Sequence, residues 1–199
     1  MNNIADGFAR SEAAIAILIQ KKADARRHYV TVRNVLTSSD GFKHEGVFAP
    51  SGEAQGKLMR EVYKKGKIDP GRVSFMEAHG TGTRIGDLQE LPQIHDVFCN
   101  VETRKKPLLL GSVKSNLGHT ESAAGLASLA KAIIAIQTGT IPPNLHFHTP
   151  RKELGKYFGD KLKVCNLPSA IASNTCRWLL LLVKRMTVVC CCLFYRSVD

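Results

Sequence analysis

The sequence has no CxxC pair, no apolar run of membrane-spanning length and none of the common glycine signatures for phosphate. Its six cysteines, Cys99, Cys165, Cys176, Cys190, Cys191 and Cys192, show neither metal-ligand spacing nor an even scatter. That argues against a zinc site or a disulfide framework and leaves reduced thiols. "WLLLLV" (178–183) and "MTVVCCCLFY" (186–195) are apolar but split by Lys184 and Arg185, and neither approaches the ~20 residues a bilayer demands. The opening "MNNIADGFARSE" lacks a basic stretch followed by an apolar one, so no signal peptide is read there and the expected location is cytoplasmic. A dinucleotide fingerprint begun at Gly80 and Gly82 would require glycine where Ile85 stands, and no GK[ST] occurs. Acidic residues are also scarce, 17 against 28 Lys and Arg, for a formal charge of +11. The basic residues lie in short groups such as Lys21-Lys22, Lys64-Lys65 and Arg104-Lys105-Lys106, without interleaved aromatics. A base-stacking surface is therefore not expected, and the charge invites another polyanionic partner, such as a phosphorylated carrier or an acidic protein surface, with Arg104 to Lys106 as a candidate docking surface.

What is present reads as one α/β unit. With 199 residues, 44% of them apolar, the chain has enough material for one core. Residues 12–19 ("EAAIAILI") and 27–36 read as strands. Ser51 caps a helix whose Leu58, Met59, Val62 and Tyr63 share a face and which Gly66 ends. Residues 72–78 return to strand. Asp87 followed by Glu90 resembles a capping box that opens a helix toward Phe98, with Pro92 expected to kink it. Residues 107–113 ("PLLLGSV") read as a strand covered on both faces. Glu121 to Gln137 is apolar nearly all round, with small residues for close packing and Gly139 just beyond, so it reads as a buried central helix. This alternation predicts layers of helix on a largely parallel sheet.

Ligands of such sheets gather beyond the carboxyl ends of the strands. Two polar, glycine-rich stretches fall there, "HGTGTRIGD" after strand 72–78 and "KSNLGHTE" after strand 107–113. The first offers His79 with the Thr81 and Thr83 hydroxyls. The second offers Lys114 and His119, the latter just ahead of a helix N-terminus that disfavours imidazolium. Two neutral imidazoles donating to one point would form an oxyanion hole for a carbonyl oxygen that gains charge as an enolate forms. Lys114 would steady them through a carboxylate such as Glu121. Either histidine alone is equally a partly buried structural residue, and the other five, including His146 and His148, are read that way.

"EAHGTGTRIGDLQE" and "GSVKSNLGHTESAAGLASLAK", together with "GFARSEAAIAIL", "TSSDGFKHEGVFAPSG" and "GTIPPNLHFHTP", resemble the β-ketoacyl synthase family, in particular the condensing domain of animal-type fatty acid synthase. The resemblance covers roughly residues 4–168. It implies a thiolase-like layered α/β fold, here incomplete. Residues 1–36 match the end of the N-terminal half, 37–168 the C-terminal half, and 169–199 form a divergent apolar, cysteine-rich tail. It also implies decarboxylative Claisen condensation between a malonyl thioester and an enzyme-bound acyl chain, with the substrate arriving on the phosphopantetheine of an acyl carrier protein. No cofactor or metal is expected on the chain itself. His79 and His119 correspond to the catalytic histidines, Lys114 to the supporting lysine, and Thr81 and Thr83 to contacts with the pantetheine arm. The parent family is homodimeric.

Two departures follow from the same comparison. The family's nucleophilic cysteine precedes the "GFARSE" region, and no cysteine here precedes Cys99. The family's glycine-rich closing segment is replaced by the tail, whose apolar runs are expected on a sheet edge, at a membrane surface or in aggregates. Three readings stay open: a partial condensing domain, a non-catalytic module that docks an acidic carrier, and a tail that associates with membrane.

Overall fold

A computed structural model describes residues 1–44, 46 and 49–171 in full, and 178–185 and 188–195 by their backbone. Strands β1 (Thr31–Ser39), β2 (Val73–Glu77), β3 (Leu108–Gly111), β5 (Leu162–Val164), β7 (Trp178–Arg185) and β8 (Val188–Tyr195) form one sheet in the order β1-β8-β7-β2-β3-β5. The block β7-β2-β3-β5 is parallel, while β8 runs antiparallel to both β1 and β7. Strands β4 (Thr140–Ile141) and β6 (Ser169–Ala170) make a separate short pair. The helices are α1 (Gly52–Gly66), α2 (Arg84–Phe98), α3 (Lys114–Leu117) and α4 (Ala124–Thr138), the last entered through a 3-10 turn over Glu121–Ala123.

Two cores flank the sheet. Leu58, Met59, Val62 and Tyr63 of α1 and Leu91, Ile94, Val97 and Phe98 of α2 pack with Val73, Met76, Leu108 and Leu110 on one side. Ala132, Ala135 and Ile136 of α4 pack with Phe75, Ile141 and Cys165 on the other. The register of β2 against β7 shifts between Val73 and Phe75, and that bulge turns Phe75 to the face opposite Val73. Helix α2 runs unbroken through Pro92. A mid-helix proline costs about 3 kcal/mol, but Leu91, Ile94 and Phe98 are fully buried and each contributes roughly 2 kcal/mol. Packing outweighs the proline.

Three expectations need correction. Residues 12–19 form no strand, and Leu18 and Ile19 stand 87% and 81% exposed. Their neighbours are held elsewhere, since Arg10 bridges to His119, and an extended apolar run without a ladder partner gains nothing from strand geometry. The expected strand 27–36 lies later, as β1. The tail supplies β7 and β8, which lie between β1 and β2 in the interior of the sheet rather than on its edge. Cys176 falls outside the described residues, as do the side chains of Trp178 and Cys190 to Cys192. Among the described residues no helix is long and apolar enough to cross a membrane.

Candidate active site at the strand ends

Both glycine-rich stretches emerge at the carboxyl ends of adjacent parallel strands. After β2, Ala78 still donates to the Gly111 carbonyl at 2.8 Å, and the chain then turns at His79. The turn is held from below by α2. Glu90 accepts the His79 N–H through Oε1 at 2.7 Å and the Gly80 N–H through Oε2 at 2.8 Å. Asp87 accepts the Gly82 N–H at 3.2 Å. Both carboxylates are buried. Gly82 has φ +74°, and a Cβ there would lie 2.7 Å from the Gly7 carbonyl, so this position excludes any side chain.

These contacts overturn the capping-box reading. Helix α2 begins three residues before Asp87, capped by the Thr83 hydroxyl, which accepts the Gly86 N–H at 3.2 Å. Asp87 and Glu90 instead face back and bind the amides of the loop that precedes the helix. The Thr81 and Thr83 hydroxyls lie 2.9 Å apart. Thr83 is thus committed to both the helix cap and its neighbour.

The second loop is fastened by main chain. The His119 N–H donates to the Ala9 carbonyl at 2.7 Å, and the His119 carbonyl accepts the Ser11 N–H at 3.0 Å. The Phe8 ring stacks at a tilt 4.5 Å from the His119 ring. Glu121, with φ +48°, donates its N–H to His119 Nδ1 at 2.9 Å. With Nδ1 accepting, the proton of the neutral ring sits on Nε2, which is left as a donor. Burial lowers the His119 pKa below the usual histidine value, and Lys114 lowers it further. The neutral form is favoured as expected, but by burial and a neighbouring ammonium, since α4 starts several residues later.

The His79 and His119 rings meet edge to face, 5.4 Å between centroids with an 89° interplanar angle. Lys114, the first residue of α3, is buried close by. Burial lowers its pKa while Glu90 and then Glu77 oppose that shift. Glu121 does not serve as its carboxylate: it faces Arg10 at 3.7 Å on the surface. A cavity of about 340 Å³ opens beside the pair, lined by Phe8, Gly80, Thr81, Lys114, Asn144 and Phe147 among others. Neither imidazole lines it, whereas His146, read as structural, does.

The described cysteines are poor nucleophiles. Cys99 and Cys165 are buried and unpaired, and desolvation pushes both thiols up, Cys165 to about 11. Among the described residues no three His, Cys, Asp or Glu side chains cluster to hold a metal. The supporting roles of Glu77, Glu90 and Phe8 were not read from the sequence. The only signal was a pair of carboxylates at helical spacing directly after a glycine loop, which serves a cap and a loop clamp equally.

Residues 29–148 match the model of the β-ketoacyl synthase C-terminal domain. The chain belongs to the β-ketoacyl synthase family. This ketosynthase chain is 46% identical over 134 residues to the fatty acid synthase of Anser anser anser, which covers 67% of the chain and 38% of that relative. It is 43% identical over 154 residues to a highly reducing polyketide synthase of Glarea lozoyensis, covering 75% of the chain and 6% of the relative. It therefore spans well under half the length of these relatives. Among solved structures, the oxazolomycin ketosynthase domain of Streptomyces albus superposes with a TM-score of 0.90 over 99% of the chain and 36% of that domain at 24% identity, a likeness of fold. A ketosynthase from module 6 of the Bacillus subtilis bacillaene synthase gives 0.79 at 30% identity, over 89% of the chain and 32% of that structure.

Proposed function

We propose that this ketosynthase chain carries the decarboxylation half of a condensing site. In this reading a malonyl thioester, delivered on the phosphopantetheine of an acidic carrier protein, lies with its thioester oxygen against His79 and His119. The bond to the malonyl carboxylate breaks, carbon dioxide leaves, and the electron pair becomes an enolate whose oxygen is held by imidazole N–H donors. Lys114 supports the pair, Thr81, which lines the cavity, contacts the pantetheine arm, and Thr83 holds Thr81 from behind. The observation that carries this reading is the edge-to-face histidine pair, with His119 Nδ1 occupied by a backbone N–H so that Nε2 donates.

Condensation also needs a thiolate to hold the acyl chain. Cys99 and Cys165 are buried thiols with raised pKa, so we assign acyl transfer to a nucleophile outside the described residues. The test is release of labelled carbon dioxide from malonyl-pantetheine by the purified chain. Release that falls at least tenfold in both His79→Ala and His119→Ala supports the proposal; release equal to the buffer blank overturns it.

The buried thiols favour one second reading, a carrier-docking module without turnover. Its surface is narrower than the sequence suggested. Arg104 is 9% exposed and donates to the carbonyls of Phe98, Val73, Lys106 and Pro70, which leaves Lys105 and Lys106 as the exposed cations of that group. Salt-sensitive carrier binding that is lost in K105E/K106E, without carbon dioxide release, would favour this second reading.

A further inference from the structure

A buried ion pair outside the histidine site joins the three chain segments that carry it. Glu77 is the last residue of β2 and is fully buried. Its Oε1 accepts the Val113 N–H just beyond β3. Its Oε2 lies 3.1 Å from the Lys131 ammonium on α4, an ion contact without a well-aligned hydrogen bond. Lys131 is 6% exposed, and its ammonium passes 5.9 Å from the Phe75 ring centroid. The strand makes room for it, since a Cβ on Gly111 would lie 3.2 Å from the Lys131 Nζ.

Position along the chain gives this pair its meaning. Glu77 is two residues before His79, Val113 is one before Lys114, and Lys131 sits on the helix that follows the His119 loop. One carboxylate therefore links the ends of two strands to the helix behind the second histidine. Stability alone does not account for it, because a buried ion pair contributes little net stability and is often replaceable by apolar residues of similar volume. What such a pair supplies well is a fixed geometry between the elements it joins.

We propose that Glu77 and Lys131 are positioning residues that hold the His79 and His119 rings in register. They touch no substrate and act by locking β2, the end of β3 and α4 to a common point. The inference rests on the histidine pair being the working site. Its test, however, reads the rings directly and so stands apart from any assay of carbon dioxide release.

In a histidine-labelled sample of the full chain, the experiment follows the cross-relaxation between the two rings and the nitrogen shifts that report the His119 tautomer. Resonances are assigned with His79→Ala and His119→Ala. The apolar pair Glu77→Leu/Lys131→Met removes the carboxylate and ammonium together, leaving no lone buried charge. The expected result is a cooperatively folded protein that has lost the His79–His119 cross-peak and whose His119 nitrogen shifts move from native values. A folded variant with the native cross-peak and shifts would overturn the proposal. The same two outcomes are read in Glu77→Gln, which keeps both side-chain volume and the Val113 acceptor while losing the ion pair, so a decision is reached even where the apolar pair fails to fold.

Discussion

The His79 loop and the His119 loop lie side by side yet are held by different means. The first is gripped by two buried carboxylates of α2, Glu90 and Asp87, which accept its backbone N–H groups. The second meets side-chain oxygen acceptors for its N–H groups only at its start, among the described residues, where Asn144 accepts the Ser112 N–H and Glu77 the Val113 N–H. It is pinned by main chain from residues 9–11 and by the left-handed Glu121, whose N–H occupies the imidazole. The site thus has one wall made by local sequence and one wall made by a segment more than a hundred residues away. Charge supports the first wall throughout, whereas at the His119 turn itself the second rests on backbone geometry.

Removing Glu90 should sharpen that contrast most. In Glu90→Ala the N–H groups of His79 and Gly80 lose their acceptor in a partly buried setting, at roughly 1–3 kcal/mol for each orphaned donor. We expect a loss of about 4 kcal/mol in urea unfolding, with Glu90→Gln, which keeps one acceptor oxygen, losing less than half of it. Equal losses in the two variants would show that the loop depends on charge rather than on acceptors.

The second wall should break through shape. Gly118 has φ +79° and ψ −174°, a region open almost only to glycine, and a Cβ there would sit 2.9 Å from the Ala9 carbonyl. Gly118→Ala should cost about 3 kcal/mol and loosen residues 9–11, read as faster amide exchange at Ser11. Unchanged protection at Ser11 would mean that the two segments are not coupled.

The smallest effect is the pH dependence. The folded His119 pKa lies below its ordinary value because burial, and then Lys114, disfavour imidazolium. The unfolded chain therefore binds more protons in the window just below pH 6.5, and stability falls as pH drops through that window toward the lowered pKa. Native protein should lose more stability than His119→Gln between pH 7.5 and 5.5. Identical slopes would assign the titration to another group, of which the Met1 ammonium, lowered by burial to about 6, and His95, also lowered by burial, are the candidates.

Much of this was legible in the sequence where periodicity and motif agreed. The helix from Ser51, the two apolar strands at 72–78 and 107–113, and the apolar helix before Gly139 all lie within a few residues of α1, β2, β3 and α4. His79, His119 and Lys114 were singled out by their place at strand ends, and the structure brings them together. What failed were decisions made by distant partners. "EAAIAILI" has a strand composition, yet its neighbours are drawn off to His119. Asp87 and Glu90 fit a capping box in spacing alone, and only the turn of the preceding loop makes them its clamp. Glu121 stands close to Lys114 in sequence, but its left-handed backbone goes with a side chain that meets Arg10 at the surface.

The place of β7 and β8 in the sheet carries a consequence for biosynthesis. Thr31 pairs with Tyr195 and Val73 with Trp178, so β1 and β2 are joined only through strands that follow β5 in the chain. A chain emerging from the ribosome can assemble β2, β3 and their helices early, from local contacts. Strand β1, which precedes β2 in the chain, keeps its ladder groups unpaired until β8 has been made. Closing so long a loop is slow, and an open strand edge during that wait is exposed to other chains. The interval between the release of β3 and the release of β8 is therefore the stage at which the edge of β1 is open to wrong pairing.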